Sequence, residues 1–258
     1  MTEAAPSRAG KVLRAALVLQ VGLAALIVLV DLQRTSDGLF RSRAAPPMTD
    51  PVTPGDQTRR FSPRMVPDSR PETRDMPRMP AMPARLRFTD TRQDDLATLR
   101  IDGRIAPGDA ARFADHLADA AQMPERIELH SPGGSVADAL EIGRRIRSEG
   151  ATTAIVEGAA CLSACPYMLA GGVVREVAPS GMVGVHQHYF DRNTLLPAFL
   201  AVESIQRGQG EVLDYLDEMG IDLRLMGPAL KTPSESIYIL VEEELRDLRV
   251  VTPDDMQM

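Results

Sequence analysis

Apolar residues follow two patterns along the chain, a continuous run near the N-terminus and a repeated alternation after residue 85. The run extends from Ala15 to Val30 and contains no charge and one polar side chain, Gln20. A helix of these sixteen residues spans about 24 Å, and Arg14 can reach the headgroups of a bilayer whose core is about 30 Å thick. The run predicts a transmembrane signal anchor over residues 15–30, with residues 1–14 in the cytoplasm.

A cleaved signal peptide is the alternative, because the apolar region of such peptides is about 7–15 residues long. No suitable pair of small residues follows the run closely, and Ser42-Arg43-Ala44 lies too far downstream. The basic residues on the two sides of the run balance and do not settle its orientation. The signal-like start favours a single-pass protein with its main part outside the cytoplasm.

The next segment is rich in proline. Ten of the twenty prolines lie between Pro46 and Pro83, and no apolar periodicity is present there. Proline at this density favours extended polyproline conformations over helices and sheets. We therefore predict a disordered linker over residues 31–85, with a segment that docks a partner as the alternative.

Residues 86–258 alternate between strand-type and helix-type stretches, which is typical of an α/β fold with a largely parallel sheet. The predicted strands are 96–101, 126–129, 152–156, 173–177 and 182–185, and the predicted helices are 107–121, 135–146, 163–170 and 195–219, the last interrupted at 208–210. Ser135 and Asp138 fit a capping box, so Ser135 is expected to cap a helix rather than to act as a nucleophile.

Charge and composition exclude several classes of function. Residues 86–258 contain 16 Lys and Arg against 28 Asp and Glu, a net charge of −12, which argues against a nucleic-acid partner. Two cysteines exclude a four-cysteine zinc module, and four histidines leave little material for any metal site. We expect no metal and no cofactor. A GxxxxGK[ST] motif is absent, so any ATP-driven unfoldase would be another chain.

Three segments have residues suited to catalysis. The segment His130–Ser135 places adjacent glycines between a predicted strand and a predicted helix, where backbone N–H groups can hold an oxyanion or a phosphate. A second segment, residues 158–165, places small residues around Ser163. The third contains His186 and His188 at the end of a predicted strand.

Residues 127–186 resemble the proteolytic subunit of Clp protease (ClpP), within the broader crotonase-like superfamily. The matching pieces are SPGGS at 131–135, the small-residue turn into a helix, MLAGG at 168–172 and PSGMVGVHQ at 179–187. Two spacings also match, from Ser163 to Gly172 and from Pro179 to His186. A closer likeness is to membrane-anchored bacterial proteins with the same Cys-x-Ser-Ala-Cys arrangement. The resemblance implies an α/β fold of repeated β-β-α units.

The resemblance also implies roles for single residues. Ser163 would be the nucleophile and His186 the general base. The N–H groups of Gly133 and Ala164 would form the oxyanion hole of an acyl-transfer reaction. His188 is an alternative base.

The acid of the expected triad departs from the family pattern. The resemblance places Ser236 at that position, so the adjacent Glu235 is the expected third catalytic residue. Signal peptide peptidase A, in the same superfamily, uses a Ser–Lys dyad. Lys231 is the only lysine after the apolar run and has no motif around it, which argues against a dyad here.

Cys161 and Cys165 lie two residues on either side of Ser163. In an oxidising compartment they could form a disulfide, provided that Cys161 lies in the turn before the helix, because four-residue spacing within a helix keeps the two Cβ atoms apart. A thiol nucleophile and a plain pair of buried small residues are the alternatives.

The combined expectation is a serine hydrolase that acts on peptides or proteins, anchored in a bacterial inner membrane with its main domain in the periplasm. A non-catalytic scaffold or peptide-binding protein is the first alternative, and a crotonase-like acyl-thioester enzyme is the second. We also expect a possible homo-oligomer, formed through apolar residues at helical spacing: Leu195, Phe199, Val202, Val212, Leu216 and Met219.

Overall fold

The computed structural model describes residues 8–40, 57–62, 82–93, 95–188 and 198–252. The chain divides into two units, Met1–Ala45 and Pro46–Met258. Helix α1 (Arg8–Phe40) forms the described part of the first unit. Within it, Lys11–Leu29 is apolar and exposed, and among the described helices it alone is long and apolar enough to cross a membrane. A signal sequence near the N-terminus would meet the same criteria of length and apolar composition.

The second unit contains two β-sheets with helices between their strands. Its strands are β1 (Thr58–Arg60), β2 (Arg87–Gln93), β3 (Leu96–Asp102), β4 (Arg126–His130), β5 (Thr152–Ile155), β6 (Ala160–Leu162), β7 (Arg175–Val177), β8 (Met182–Val185) and β9 (Ser236–Ile239). Its helices are α2 (Asp109–Asp119), α3 (Val136–Glu149), α4 (Cys165–Ala170), α5 (Ala198–Glu218), α6 (Met226–Lys231) and α7 (Glu242–Asp247).

The larger sheet has the strand order β2-β3-β4-β5-β7. Its last four strands are parallel, and β2 is an antiparallel edge strand. Buried aliphatic and aromatic side chains, including Leu99, Ile127 and Phe113, form the core between this sheet and its helices. The predicted α/β fold with a largely parallel sheet is confirmed. Helix α3 begins as expected, because the Ser135 hydroxyl accepts a hydrogen bond from the Asp138 N–H.

The smaller sheet has the order β1-β9-β8-β6 and differs from the single sheet that the sequence predicts. Strands β6 and β8 are parallel, and β9 is antiparallel to both β8 and β1. Strand β6 was not predicted, because its three residues are too few for a period. This sheet positions the candidate site, since β6 ends beside Ser163 and β8 ends beside His186.

Strand β1 lies within the segment predicted to be a linker. Residues 57–62 belong to the folded unit, and the Gln57 and Arg59 side chains are buried there. This segment is held by backbone hydrogen bonds to the edge of β9. Such pairing needs no apolar periodicity, so the sequence does not indicate it. Of the rest of the predicted linker, residues 31–40 belong to helix α1, and residues 41–56 and 63–81 lie outside the described residues.

Helix α5 corrects a second expectation. It runs without interruption through Gly208 and Gly210, where a break was predicted. Glycine in a helix interior costs about 1 kcal/mol, and burial of Val212 and Leu216 on the same helix offsets that cost. Of the apolar positions expected at an oligomer interface, Val212, Leu216 and Met219 are buried within their own unit and Val202 is exposed. Leu195 and the Phe199 side chain lie outside the described residues.

Candidate active site

Ser163 lies in a tight turn between β6 and α4. Its φ angle of 63° is in the left-handed region, which is uncommon for a residue with a side chain and costs about 1–2 kcal/mol. Hydrogen bonds on both sides hold the turn: the Ser163 N–H donates to Gly184 O at 2.9 Å, and the Leu162 N–H donates to Ser131 O at 3.0 Å. The turn leaves the Ser163 side chain half-buried, in a wall of otherwise buried residues.

The two cysteines form a disulfide across this turn. Cys161 belongs to β6 and Cys165 is the first residue of α4, so Cys161 lies before the helix, as pairing requires. Their Cα atoms are 5.1 Å apart, and both residues are fully buried. With both cysteines paired, neither sulfur is a thiol that could act as a nucleophile. The disulfide closes a short loop with Ser163 at its centre.

His186 contacts Ser163 directly. Its Nε2 atom lies 2.7 Å from Ser163 Oγ, and its Nδ1 atom lies 3.1 Å from the carbonyl oxygen of Ser234. A carbonyl can only accept, so Nδ1 bears the proton and Nε2 is free to accept one from the serine hydroxyl. The imidazole is therefore held in the tautomer that a general base needs.

The third position of the expected triad differs from the prediction. The Glu235 side chain is exposed, and the group that faces His186 Nδ1 is the backbone carbonyl of Ser234. Glu235 comes directly before β9, and its backbone carbonyl accepts a hydrogen bond from the Phe61 N–H. Ser236 is half-buried and begins β9. A neutral carbonyl orients the imidazole but stabilises its charged form less than a carboxylate does.

Burial determines the basicity of His186. Loss of hydration lowers its pKa from the usual 6.5, and this outweighs hydrogen bonds with the Ser234 and Ser236 backbone and the charge of Glu235, which favour the protonated form. His188, the alternative base, points elsewhere: its Nε2 lies 2.7 Å from the Tyr167 hydroxyl oxygen. Its pKa is also lowered by burial and by His186.

Gly133 and Ala164, the predicted oxyanion donors, lie side by side at the serine turn. A β-carbon on Gly133, whose φ is 88°, would lie 2.5 Å from Ser163 Cβ and 2.8 Å from Ala164 N. Only glycine fits there. The Gly133 N–H donates to the Ser131 hydroxyl oxygen at 3.1 Å, so this donor has a partner within the protein. Ser131 belongs to the glycine motif, but its residue type alone predicts no role for its hydroxyl at this position.

A cavity of about 220 Å³ opens beside His186. Its lining mixes polar groups with apolar side chains from α5 and α6: Gln187, His188, Gln209, Ile205, Met226, Ala229 and Leu230. The cavity could accept one side chain of a ligand next to the imidazole. Among the described residues, no cluster of three or more His, Cys, Asp or Glu side chains could hold a metal ion.

Protein-family models give no match to the chain. Curated protein sequences give none either. Among solved structures, the chain is similar to a mutant of the 1510-N membrane-bound stomatin-specific protease, with 18% identity, a TM-score of 0.42, and coverage of 60% of this chain and 75% of that one. It is also similar to a mutant of ClpP1 from Listeria monocytogenes, with 17% identity, a TM-score of 0.48, and coverage of 62% and 94%.

Proposed function

We propose that the protein is a serine hydrolase that cleaves peptide bonds through an acyl-enzyme at Ser163. The observation that supports this most directly is the 2.7 Å contact between Ser163 Oγ and His186 Nε2, in the tautomer that the Ser234 carbonyl selects. An unassisted serine hydroxyl is a poor nucleophile, and a neutral imidazole at this distance is the assistance it needs. Peptides as substrates follow from the sequence resemblance to Clp protease.

The proposed reaction has two stages. His186 Nε2 takes the proton of Ser163, whose oxygen attacks the scissile carbonyl carbon, and the oxyanion binds the N–H groups of Gly133 and Ala164. His186 then gives the proton to the leaving amine, and the C–N bond breaks. Water attacks the acyl-enzyme by the same route and restores Ser163. For the first step, the Gly133 N–H must exchange the Ser131 hydroxyl for the oxyanion.

The state of His186 sets the expected pH dependence. The base must be neutral, so the rate increases as pH rises through its pKa. Because burial lowers that pKa, the acidic limb of the profile should lie below pH 6.5. A carbonyl in place of a carboxylate predicts slow turnover.

The proposed location is a bacterial inner membrane, with α1 as the single anchor and the second unit in the periplasm. The apolar character of Lys11–Leu29 supports an anchor. The disulfide between Cys161 and Cys165 supports an oxidising compartment, since cytosolic thiols are kept reduced. The proposed partners are a peptide or protein substrate and a second copy of the chain.

A non-catalytic peptide-binding scaffold is the second candidate. Two observations favour it: a carbonyl faces His186 where a hydrolase triad has a carboxylate, and the Gly133 N–H is already bonded to Ser131. In a scaffold the same groups would form a rigid wall of a binding site. The scaffold and the hydrolase differ in whether a covalent bond forms at Ser163.

A fluorophosphonate probe distinguishes the two, because an activated serine displaces fluoride from its phosphorus atom. We expect the full-length protein to be labelled, and Ser163→Ala and His186→Ala to abolish labelling. Ser148→Ala is the matched control, since Ser148 is exposed and its hydroxyl only donates to the Arg145 carbonyl. Labelling that persists in Ser163→Ala would place the nucleophile elsewhere, and an unlabelled, folded wild type would support the scaffold.

A further inference from the structure

Residues 57–62 lie along the open edge of β9, close to the catalytic pair. Three residues of β1 pair with β9 in antiparallel register, with Arg59 opposite Ile237. Backbone hydrogen bonds extend the pairing at both ends: the Phe61 N–H donates to Glu235 O at 3.0 Å, and the Ile239 N–H donates to Gln57 O at 3.0 Å. The segment therefore continues the smaller sheet by a full strand.

Side chains hold this strand as well as its backbone. The Arg59 side chain is fully buried, which is rare for arginine unless it is bonded to other groups. The Gln57 amide donates to Glu244 Oε2 at 2.8 Å, and the Tyr238 hydroxyl donates to the other oxygen of the same carboxylate. These contacts make β1 an integral strand of the folded unit.

Phe61, directly after β1, covers His186. The two ring centroids are 5.0 Å apart and the rings meet edge to face at 70°. The phenyl ring also packs on the small apolar cluster that includes Leu162 and Ile237, next to the serine turn. His186 is consequently only 6% exposed although Ser163 beside it is half-buried.

The same segment also holds the acceptor for His186. The Phe61 N–H donates to the carbonyl of Glu235. The residue before it, Ser234, provides the carbonyl that accepts from His186 Nδ1. Because this carbonyl stands where the family has a carboxylate, the orientation of the imidazole depends on the placement of a backbone loop. Strand β1 fixes that loop from its outer side.

We propose that Phe61 is a positioning residue for His186, and that residues 57–62 complete the active site from within the proline-rich part of the chain. Phe61 excludes water from the imidazole and, through its backbone N–H, keeps the Ser234 carbonyl in place. This inference rests on the proposed hydrolase function. It adds to the site a segment that lies before residues 127–186, the stretch that resembles Clp protease.

Removing the phenyl ring has a distinct consequence for pH. The polar and ionisable groups near the imidazole are the Ser163 hydroxyl at Nε2, Glu235 directly before β9, and His188, two residues after His186. Phe61 contributes no charge. Water admitted in place of the ring would relieve the desolvation that lowers the pKa of His186. The acidic limb of the labelling rate should then move to higher pH.

The test compares Phe61→Ala with Phe61→Leu in the full-length protein, by the rate of fluorophosphonate labelling as a function of pH. We expect Phe61→Ala to label about tenfold or more slowly near pH 6, because misplaced catalytic groups lose rates of this order, and to shift the acidic limb upward. Phe61→Leu, which still excludes water, should restore most of the rate. Phe88→Ala is the matched control: Phe88 is also half-buried and lies 5.3 Å from a histidine ring, that of His116.

An NMR titration of the His186 ring in each variant makes the readout independent of activity. An upward shift of the His186 pKa in Phe61→Ala and none in Phe88→Ala would support the inference. If the wild type is labelled and Phe61→Ala keeps both its rate and its pH profile, Phe61 has no positioning role and the hydrolase function stands. If the wild type is not labelled, the proposed function fails, and an unmoved His186 titration would also overturn the inference.

Discussion

Residues around Ser163 have almost no room for extra atoms. A β-carbon added to Gly133 would lie 2.5 Å from both Leu162 O and Ser163 Cβ. Both Gly133 and Ser163 have positive φ angles. Close packing of this kind keeps the Ser163 side chain and the nearby backbone donors in fixed relative positions, as the proposed reaction requires.

Gly133→Ala should therefore displace the serine turn and reduce fluorophosphonate labelling by about a hundredfold, the cost of losing one oxyanion donor. The control is Gly150→Ala, since Gly150 has a similar φ of 70° and open space around its β-carbon position. Gly150→Ala should lower the thermal midpoint through backbone strain alone and leave the labelling rate unchanged. Equal rates in the two variants would contradict the role of Gly133.

Ser131 provides a second prediction at this scale. Its buried hydroxyl accepts the Gly133 N–H, which the proposed reaction needs for the oxyanion. Ser131→Ala should free that donor and increase labelling severalfold, while the lost hydrogen bond lowers stability by about 1 kcal/mol in urea unfolding. Ser131→Thr keeps the hydroxyl and serves as the comparison. A lower rate in Ser131→Ala would mean that the hydroxyl holds the turn in its active form.

At the scale of elements, the disulfide joins the middle residue of β6 to the first residue of α4. Closing such a short loop stabilises the folded state by about 2 kcal/mol through the unfolded chain, and it also restricts the turn that contains Ser163. The double variant with Cys161→Ala and Cys165→Ala should unfold at lower denaturant and label more slowly. A reductant should slow the wild type and leave the double variant unaffected. If the folded double variant is labelled as fast as the wild type, the disulfide contributes to stability and not to the reactivity of Ser163.

The elements that the sequence predicts correctly are those with a clear apolar period. Helix α3 buries its apolar positions at helical spacing. Strands β3 and β4 lie where the sequence predicts them, although most of their residues are buried on both faces. The capping role of Ser135 agrees with residue spacing, and the approach of His186 to Ser163 agrees with what the resemblance to Clp protease implies.

Strand β1 is missed by the sequence because it depends on long-range pairing. Strand β1 has the sequence Thr-Arg-Arg, and its position results from backbone bonds to β9, about 180 residues later. The group that orients His186 is a backbone carbonyl, and every residue has one, so its position cannot be predicted from residue type. For the same reason, the sequence predicts Glu235 next to His186 Nδ1, where the structure has the carbonyl of its neighbour Ser234.

At the scale of the whole molecule, the apolar helix predicts that the protein stays in the membrane at full length. Lys11–Leu29 is long enough to span a bilayer with flanking residues at the interface. Cell fractionation followed by mass spectrometry of the N-terminal peptide should find the intact chain in the membrane fraction. A soluble form with a new N-terminus near Ala45 would contradict this.

We also predict that the second unit self-associates through the exposed part of α5. Val202 is 51% exposed on that helix, whereas the later apolar positions pack within the unit. Sedimentation velocity should give an oligomer that Val202→Asp dissociates. Leu223→Asp is the control, because Leu223 is 43% exposed and lies outside α5. A sharp monomer at micromolar concentration would count against assembly.

The central claim is that Ser163 and His186 form an active nucleophile and base. Intact-mass and peptide mass spectrometry of the probe-treated full-length protein tests it most directly, with the labelling rate followed across pH. The account predicts one phosphonyl group, on the peptide that contains Ser163, and a rate that rises with pH through a pKa below 6.5. A label on any other residue, or none on the folded protein, would contradict it.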